Sequence, residues 1–135
     1  MLLPRGIRLD YEIESSGPRV EIESAMIEQV LVNLVSNAKD ALPGGGAITI
    51  RLHPGSMLNG SPAAILEVSD TGPGVPPEIR DSIFDSFFTT KPEGKGTGLG
   101  LASVKALMEA REGVIHLESR PDWGATFIMA FPVRS

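Results

Sequence analysis

Cysteine is absent from this 135-residue chain. Its absence excludes disulfide frameworks, zinc–thiolate centres and thiol nucleophiles. Histidine is scarce as well, since His53 and His116 are the only two, and their separation along the chain argues against a histidine-rich metal site. Basic residues number 12 against 17 acidic ones, so the net charge is −5. We therefore expect no nonspecific nucleic-acid binding, which depends on clustered Lys and Arg.

Long hydrophobic runs are also missing. No apolar stretch approaches the ~20 residues that a membrane-spanning helix needs, and no signal peptide opens the chain. The expected compartment is the cytosol, with two alternatives left open: a piece of a longer protein, or the soluble part of a membrane-anchored one. Hydrophobic residues still make up 41% of the chain, enough for a folded core. The length predicts a single domain over residues 1–135.

The spacing of apolar residues predicts strands and helices in alternation. Strands are predicted at 7–14, 47–52, 63–69, 114–119 and 125–133, with a short extended piece at 20–23. Helices are predicted from Ser24 to about Leu42, over a short piece at 77–83, and over 101–111 with Gly113 as its cap. The segment 53–61 is expected to be a hairpin loop, because it carries Pro, Gly and Asn.

Glycine and proline are concentrated between residues 70 and 100. An irregular stretch of this length inside a compact domain is typical of a functional lid or a binding loop. Its last part, Gly94-Lys95-Gly96-Thr97-Gly98-Leu99-Gly100, matches neither the P-loop nor the dinucleotide pattern. The exposed amides and the helix that follows suit a polyphosphate, and they equally suit a flexible loop before a helix.

A polar stripe runs along the first predicted helix, where Asn33, Asn37 and Asp40 stand four and three residues apart. This spacing places the three side chains near one face of a helix. Amide and carboxylate oxygens are ligands that suit magnesium beside phosphate oxygens and water. A solvated helix face is the alternative, although asparagine is a poor helix former and two of them lie in mid-helix.

Two further features lie within the irregular segment. Asp70-Thr71-Gly72-Pro73-Gly74 follows a predicted buried strand. Its carboxylate could accept a hydrogen bond from an adenine amine, and Gly72 and Gly74 could let the backbone approach a base; a simple strand-ending turn is the alternative. Three of the five phenylalanines fall within 84–88. They could anchor a lid, face a partner protein or form a small satellite core.

In this order and spacing, the four features resemble the ATP-binding catalytic domain of bacterial sensor histidine kinases, a member of the Bergerat-fold ATPases. The resembling segments are an asparagine box at 32–41, a first glycine box at 70–74, a phenylalanine box at 84–91, a second glycine box at 94–100 and a last segment at 124–127. The residues of the phenylalanine box and the second glycine box are most like those of the nitrogen-regulation type of sensor kinase. The resemblance implies an α/β two-layer sandwich, in which a mixed sheet of about five strands carries three helices on one face and an ATP lid spans about 73–97.

The resemblance also implies how the base of ATP is held. Asp70 would bind the exocyclic amine of adenine, with a water bridging toward Thr126. Gly72 and Gly74 would bring the backbone close to the base.

The phosphates and the metal would be held by other residues of the resembling boxes. Asn37 would bind Mg²⁺. Asn33 would stand where ATP-hydrolysing relatives carry a glutamate base, which favours transfer to a protein acceptor over hydrolysis. The other ATP-binding residues that the resemblance implies are Lys91, Lys95, Gly96, Thr97, Gly98, Leu99 and Gly100.

The chain departs from the family pattern in three ways. Asp40 stands where many members carry a Lys or Arg that reaches the phosphates, and Arg111-Glu112-Gly113 replaces the usual His-Gly-Gly. Neither histidine is followed by the acidic residue that marks a phosphoacceptor. We therefore expect the dimerisation and phosphoacceptor domain to lie outside this chain.

The implied function is the binding of Mg-ATP and transfer of its γ-phosphoryl group to a histidine on that separate domain, with a response regulator downstream in two-component signalling. The isolated domain is expected to be a monomer, cytoplasmic or part of a membrane-anchored kinase. The alternatives are an inactive nucleotide-binding docking module and a serine-directed kinase of the anti-sigma-factor type. A gyrase-type clamp is disfavoured because Asn33 replaces the glutamate base.

Overall fold

The computed structural model describes residues 2–3, 6–14, 24–85, 100–120 and 124–133. These ranges contain six strands, two α-helices and one 3-10 helix. In chain order they are β1 (Leu2–Leu3), β2 (Ile7–Ile13), α1 (Ser24–Asp40), β3 (Gly46–Ser56), β4 (Pro62–Asp70), the 3-10 helix (Pro77–Ile79), α2 (Gly100–Ala110), β5 (Val114–Arg120) and β6 (Gly124–Pro132).

The strands form one mixed sheet in the order β1-β2-β3-β4-β6-β5. Only β2 and β3 run parallel, because α1 carries the chain between them; all other neighbours are antiparallel. The predicted α/β class with a mixed sheet is confirmed. The described sheet has one strand more than predicted, because β1 has two residues and is too short to show any periodicity. The extended piece predicted at 20–23 lies outside the described residues.

Both helices pack on the same face of the sheet, and the main core lies between the two layers. Helix α1 buries a stripe at three-four spacing, as the sequence predicted. The largest fully buried side chains come from both layers: Ile7, Val30, Leu34, Ile48, Val68, Val104, Met108 and Met129. On the opposite face, which we call the open face, the described residues form a small apolar cluster of Ala63, Ile65 and Ala130. Among the described residues, no helix is both long and apolar enough to cross a membrane.

The predicted hairpin loop at 53–61 is shorter in the structure. Strand β3 continues to Ser56, and the turn proper begins at Met57, whose N–H bonds to the Ser61 carbonyl at 2.8 Å. Pairing with β4 overrides the turn tendency of Pro54 and Gly55. Gly55 is well placed here, because a Cβ at that position would overlap the Ile65 side chain.

The third predicted helical piece, 77–83, forms a single 3-10 turn at Pro77–Ile79. Bonds from the Ser82 N–H to the Ile79 carbonyl and from the Asp85 N–H to the Ser82 carbonyl continue the same tight pattern. Short helical segments adopt this 3-10 geometry readily, and this one does not lengthen into an α-helix.

The cap of α2 also differs from the prediction. Glu112, with φ of 59°, occupies the left-handed position, while Gly113 follows it. The Gly113 N–H bonds to the Met108 carbonyl at 2.9 Å and the Glu112 N–H to the Glu109 carbonyl at 3.1 Å, which is a Schellman ending. The left-handed residue of that motif is therefore Glu112, where glycine is usual.

Candidate functional site

Asp70 is the last residue of β4, and its side chain lies on the helix-covered face of the sheet. Leu66 and Val68 precede it at alternate positions and belong to the core, so strand alternation directs Asp70 to the same side. Asp70 is 8% exposed and is the buried charged residue of the described chain. Its Oδ1 accepts the Gly72 N–H at 2.8 Å, and the Ala125 N–H donates to the same carboxylate.

The electrostatics of Asp70 follow from this position. Burial raises the pKa of the carboxyl above its ordinary 3.8, and the backbone donors of Gly72 and Ala125 offset part of that effect. A carboxylate offers about four acceptor positions, so two backbone donors leave capacity for another donor. The arrangement suits a neutral amine, which supplies hydrogen bonds without adding charge.

Two glycines allow the backbone to close around Asp70. A Cβ at Gly72 would lie 2.9 Å from both the Ala41 carbonyl oxygen and the Asp70 Oδ1. Gly124, with φ of 82°, sits against the Asp70 carbonyl, and a Cβ there would also lie 3.2 Å from the Gly72 nitrogen. The end of β4 and the start of β6 therefore form one close-packed unit. Gly74 stands two residues beyond Gly72 in the same turn, with φ of 80°.

The asparagine stripe lies on α1, where Asn33 connects α1 to α2. Its Nδ2 donates to the carbonyl of Gly100, the first residue of α2, at 3.3 Å. Its Oδ1 accepts the Gln29 side-chain N–H at 3.2 Å. Asn37 is half-buried one turn further along the same helix. The structure thus brings Asn33 and Gly100 together, as two of the predicted site residues.

The Thr126 side chain does not lie on the same face of the sheet as Asp70. It pairs with Ser69 in the sheet, and the two hydroxyl oxygens lie 2.9 Å apart. Phe127 and Met129 belong to the helix-side core, so alternation places Thr126 on the open face. The β6 residue beside Asp70 is Ala125. The apolar alternation along β6 was a signal in the sequence that could have indicated this.

Several predicted residues lie outside the described ranges. They are Lys91, Lys95, Gly96, Thr97, Gly98 and Leu99. Of the phenylalanine box, the structure describes Phe84, which packs edge-on against Phe127 with ring centroids 6.1 Å apart. Phe84 is therefore attached to the main core of the molecule.

Two residues near the site were missed by sequence reasoning. Ser119 Oγ accepts the Val75 N–H at 2.6 Å, and Arg80 donates to the carbonyls of Val75 and Ser119 at 3.0 and 2.8 Å. Both residues are partly buried. Because 39 positions separate Arg80 from Ser119 along the chain, no local pattern in the sequence indicated their contact.

A family model described as histidine kinase-, DNA gyrase B-, and HSP90-like ATPase matches residues 22–135. The chain belongs to this ATPase family. The match includes the α1 stripe, the Asp70 turn and the start of α2, so the resemblance inferred from the four boxes is confirmed.

Within the ATPase family, the similar proteins are sensor kinases. The sensory histidine kinase/phosphatase NtrB of Salmonella typhimurium is 39% identical over 141 residues, covering 99% of this chain and 39% of NtrB. The sensor kinase CckA of Brucella abortus is 39% identical over 147 residues, covering 98% of this chain and 15% of CckA. This chain thus spans well under half of each curated relative. The predicted enzyme class, a protein histidine kinase, is that of these relatives.

Solved structures of the ATPase family agree with the fold. The catalytic domain of the histidine kinase ThkA aligns with a TM-score of 0.78 and 36% identity, covering 95% of this chain and 80% of that one. The mycobacterial sensor histidine kinase MprB also aligns with a TM-score of 0.78, at 27% identity, covering 95% of this chain and 83% of that one. The two-layer arrangement is therefore that of histidine kinase catalytic domains.

Proposed function

We propose that this chain binds Mg-ATP and transfers the γ-phosphoryl group to a histidine on a separate phosphoacceptor domain in two-component signalling. The observation that carries the proposal is the buried carboxylate of Asp70, closed in by Gly72 and Gly124 at the end of β4. Membership of the ATPase family supports adenine as the group that this carboxylate recognises.

The base would be recognised by Asp70 and by the backbone of the following turn. The Asp70 carboxylate would accept the exocyclic amine, and the glycines at 72 and 74 would keep side chains away from the ring. A hydrogen bond between a charged group and a ligand is worth roughly 1.5–3 kcal/mol when it is shielded from water. This contact would select adenine over a base that presents a carbonyl at the same place.

The phosphates would lie near α1 and the start of α2. The first N–H groups of a helix have no partner within the helix, so the start of α2 favours an anion. The described residues contain no group of three His, Cys, Asp or Glu side chains able to hold a metal. Mg²⁺ suits a site of this kind, because it commonly takes one protein oxygen together with phosphate oxygens and water. Asn37 would supply that oxygen, and bound Mg²⁺ would neutralise phosphate charge.

In the transfer, the P–O bond between the β- and γ-phosphates breaks, a P–N bond to the acceptor imidazole forms, and ADP leaves. Positioning and electrostatic stabilisation account for most of the catalysis of phosphoryl transfer. Asn33 would serve by holding the start of α2 through the Gly100 carbonyl, because an amide cannot act as a general base.

The acceptor is proposed to lie on another domain. His53 Nε2 contacts Glu67 Oε2 at 2.5 Å, and His116 Nε2 lies 3.8 Å from Glu118 Oε1. Both histidines belong to the open face of the sheet, away from Asp70. We propose that residues 1–135 form a single catalytic domain, monomeric when isolated, and that the partners are the phosphoacceptor domain of its own kinase and a response regulator. The proposed compartment is the cytoplasm, including the cytoplasmic part of a membrane-anchored kinase.

The test uses labelled ATP, Mg²⁺ and a separately made phosphoacceptor domain from the same kinase. We expect acid-labile label on the acceptor and none on this chain alone. ADP binding without transfer would replace the proposal by the inactive docking module. Acid-stable label on a serine of a regulatory protein would favour the serine-directed kinase.

The metal assignment has its own control. Asn37→Ala should weaken ATP binding in the presence of Mg²⁺ and slow transfer, while ADP binding without Mg²⁺ stays near wild type. Equal losses with and without Mg²⁺ would show that the asparagine is needed for the helix and not for the metal.

A further inference from the structure

We propose that Arg80 and Ser119 are positioning residues for nucleotide recognition, because together they hold the Val75 peptide and with it the turn from Gly72 to Val75. The inference rests on the proposed role of Asp70 in binding adenine. It adds two residues that do not themselves touch the nucleotide.

Ser119 holds the nitrogen side of Val75. Its Oγ accepts the Val75 N–H at 2.6 Å and lies 3.4 Å from the Gly124 carbonyl oxygen, to which it donates. One hydroxyl therefore uses its donor and an acceptor position at once. It joins the turn after β4 to the first residue of β6, although Ser119 itself belongs to β5.

Arg80 holds the carbonyl side of Val75. Its Nε donates to the Val75 carbonyl at 3.0 Å, and its Nη2 donates to the Ser119 carbonyl at 2.8 Å. The planar guanidinium presents several donors in fixed directions, so one side chain can bridge two carbonyls on separate segments. A lysine ammonium is a point charge without that fork, and we expect it to replace only part of the bridge.

The bridge, which is the set of hydrogen bonds that Arg80 and Ser119 make to Val75 and to each other, is connected to Asp70 by close packing. Gly124, which accepts from Ser119, sits against the Asp70 carbonyl, and a Cβ at Gly124 would lie 3.2 Å from the nitrogen of Gly72. Gly72 in turn donates to Asp70 Oδ1 at 2.8 Å. Arg80 and Ser119 thus fix the peptide at one end of the turn, and Asp70 fixes the other end. A turn that is already ordered binds a ligand without the entropic cost of ordering it.

The test compares Arg80→Met and Ser119→Ala with two matched controls in the 135-residue chain. Arg8→Met removes an arginine whose side chain is 70% exposed, and Ser56→Ala removes an exposed hydroxyl at the end of β3. ADP affinity is measured by calorimetry, and amide hydrogen exchange is followed over residues 72–80 and over β3.

Each of Arg80→Met and Ser119→Ala should weaken ADP binding by about three- to tenfold, because part of the binding free energy would then be spent on ordering the turn. Amides of 72–80 should exchange faster, while those of β3 stay protected. Arg80→Lys should recover part of the affinity. Neither control should change ADP binding.

Three results would overturn the inference. Wild-type affinity in folded Arg80→Met and Ser119→Ala would show that the bridge does not position the site. Faster exchange in β3 and in 72–80 alike, with affinity per folded molecule unchanged, would show a purely structural role. If Arg80→Met does not fold, a wild-type ADP affinity in Ser119→Ala alone would reject the inference. A wild-type chain that binds no ADP would instead overturn the proposed function.

Discussion

The two faces of the sheet differ in what their polar side chains do. The helix-covered face is apolar, and its buried charge is Asp70. Polar contacts cross the open face between Glu12 and Arg51, between His53 and Glu67, and between Ser69 and Thr126. Ser69 and Asp70 are consecutive residues, yet one belongs to a surface network and the other to the candidate nucleotide site. A step of one residue along a strand therefore decides whether a polar group belongs to the surface network or to the site.

The largest expected effect separates the faces by stability. Leu34→Ala, at a fully buried position of α1, should lower the free energy of unfolding by about 2–5 kcal/mol because it leaves a cavity. Ile128→Ala on the open face should lower it by about 1 kcal/mol, since Ile128 is only partly buried. Urea denaturation measures both. Equal losses would mean that the open face is covered in solution.

The next effect separates the faces by ligand binding. Asp70→Ala should weaken ADP binding by roughly ten- to a hundred-fold, because it removes the proposed partner of the adenine amine. Ser69→Ala, one residue earlier, is the matched control and should leave the affinity near wild type. Calorimetry on the folded variants checks both. An Asp70→Ala chain with wild-type affinity would refute the adenine assignment.

The burial of Asp70 also predicts a dependence of stability on pH. Since the folded pKa of Asp70 is raised, the folded state binds more protons than the unfolded state between the two pKa values. This contribution to stability is fully present below about pH 3.8 and is lost as the pH rises through the folded pKa of Asp70. Asp70→Asn lacks it, so the free energy of unfolding of Asp70→Asn minus that of wild type should increase over this window. A difference that stays constant with pH would contradict the raised pKa.

A smaller effect is expected at Thr126. Because its hydroxyl meets Ser69 on the open face, Thr126→Val should keep ADP affinity within about twofold, well short of the tenfold change that 1.4 kcal/mol represents. A loss as large as that of Asp70→Ala would restore the role that the family resemblance implied for Thr126. Calorimetry under the same conditions provides the comparison.

The smallest effect belongs to His53, whose side chain is 40% exposed. Its Nε2 meets the Glu67 carboxylate, and its Nδ1 meets the Pro54 carbonyl at 3.0 Å. Both partners accept hydrogen bonds, so the two contacts together favour the protonated ring, in which both nitrogens donate. Glu67 first, and then Pro54, raise the pKa of His53 above 6.5. The contribution of this raised pKa to the free energy of unfolding is fully present below pH 6.5 and is lost as the pH rises through the folded pKa. The free energy of unfolding of wild type minus that of His53→Gln should therefore be larger at pH 6 than at pH 9.

Much of the fold could be predicted because the sequence alternates or repeats where one face is buried. The apolar residues of α1 and of β4 fixed both elements to within two residues of their observed ends. Strand β1 could not be predicted, since two residues have no period. The end of β3 was missed because Pro54 and Gly55 favour turns locally, while their pairing with β4 is a tertiary effect.

The position of Asp70 at the end of a buried strand could be predicted, because the apolar residues of β4 lead up to it, while its role toward adenine stays a prediction. The position of Thr126 could not be predicted as well, because it depends on strand register: Ala125, one residue earlier on β6, lies beside Asp70 instead. The bridge from Arg80 to Ser119 was beyond sequence reasoning, because two polar residues of common types meet only after β5 and the turn after β4 come together.

The backbone at Glu112 has a consequence for how this domain could evolve. A left-handed conformation costs a residue with a side chain roughly 1–2 kcal/mol, and Glu112 adopts it where glycine would not incur that strain. One average mutation destabilises a protein by a similar amount. A single change to glycine at 112, at the C-terminal end of α2 and far along the chain from Asp70, would relieve this strain, less the larger entropy that glycine loses on folding, and would thus help the lineage tolerate a substitution in or near the candidate site.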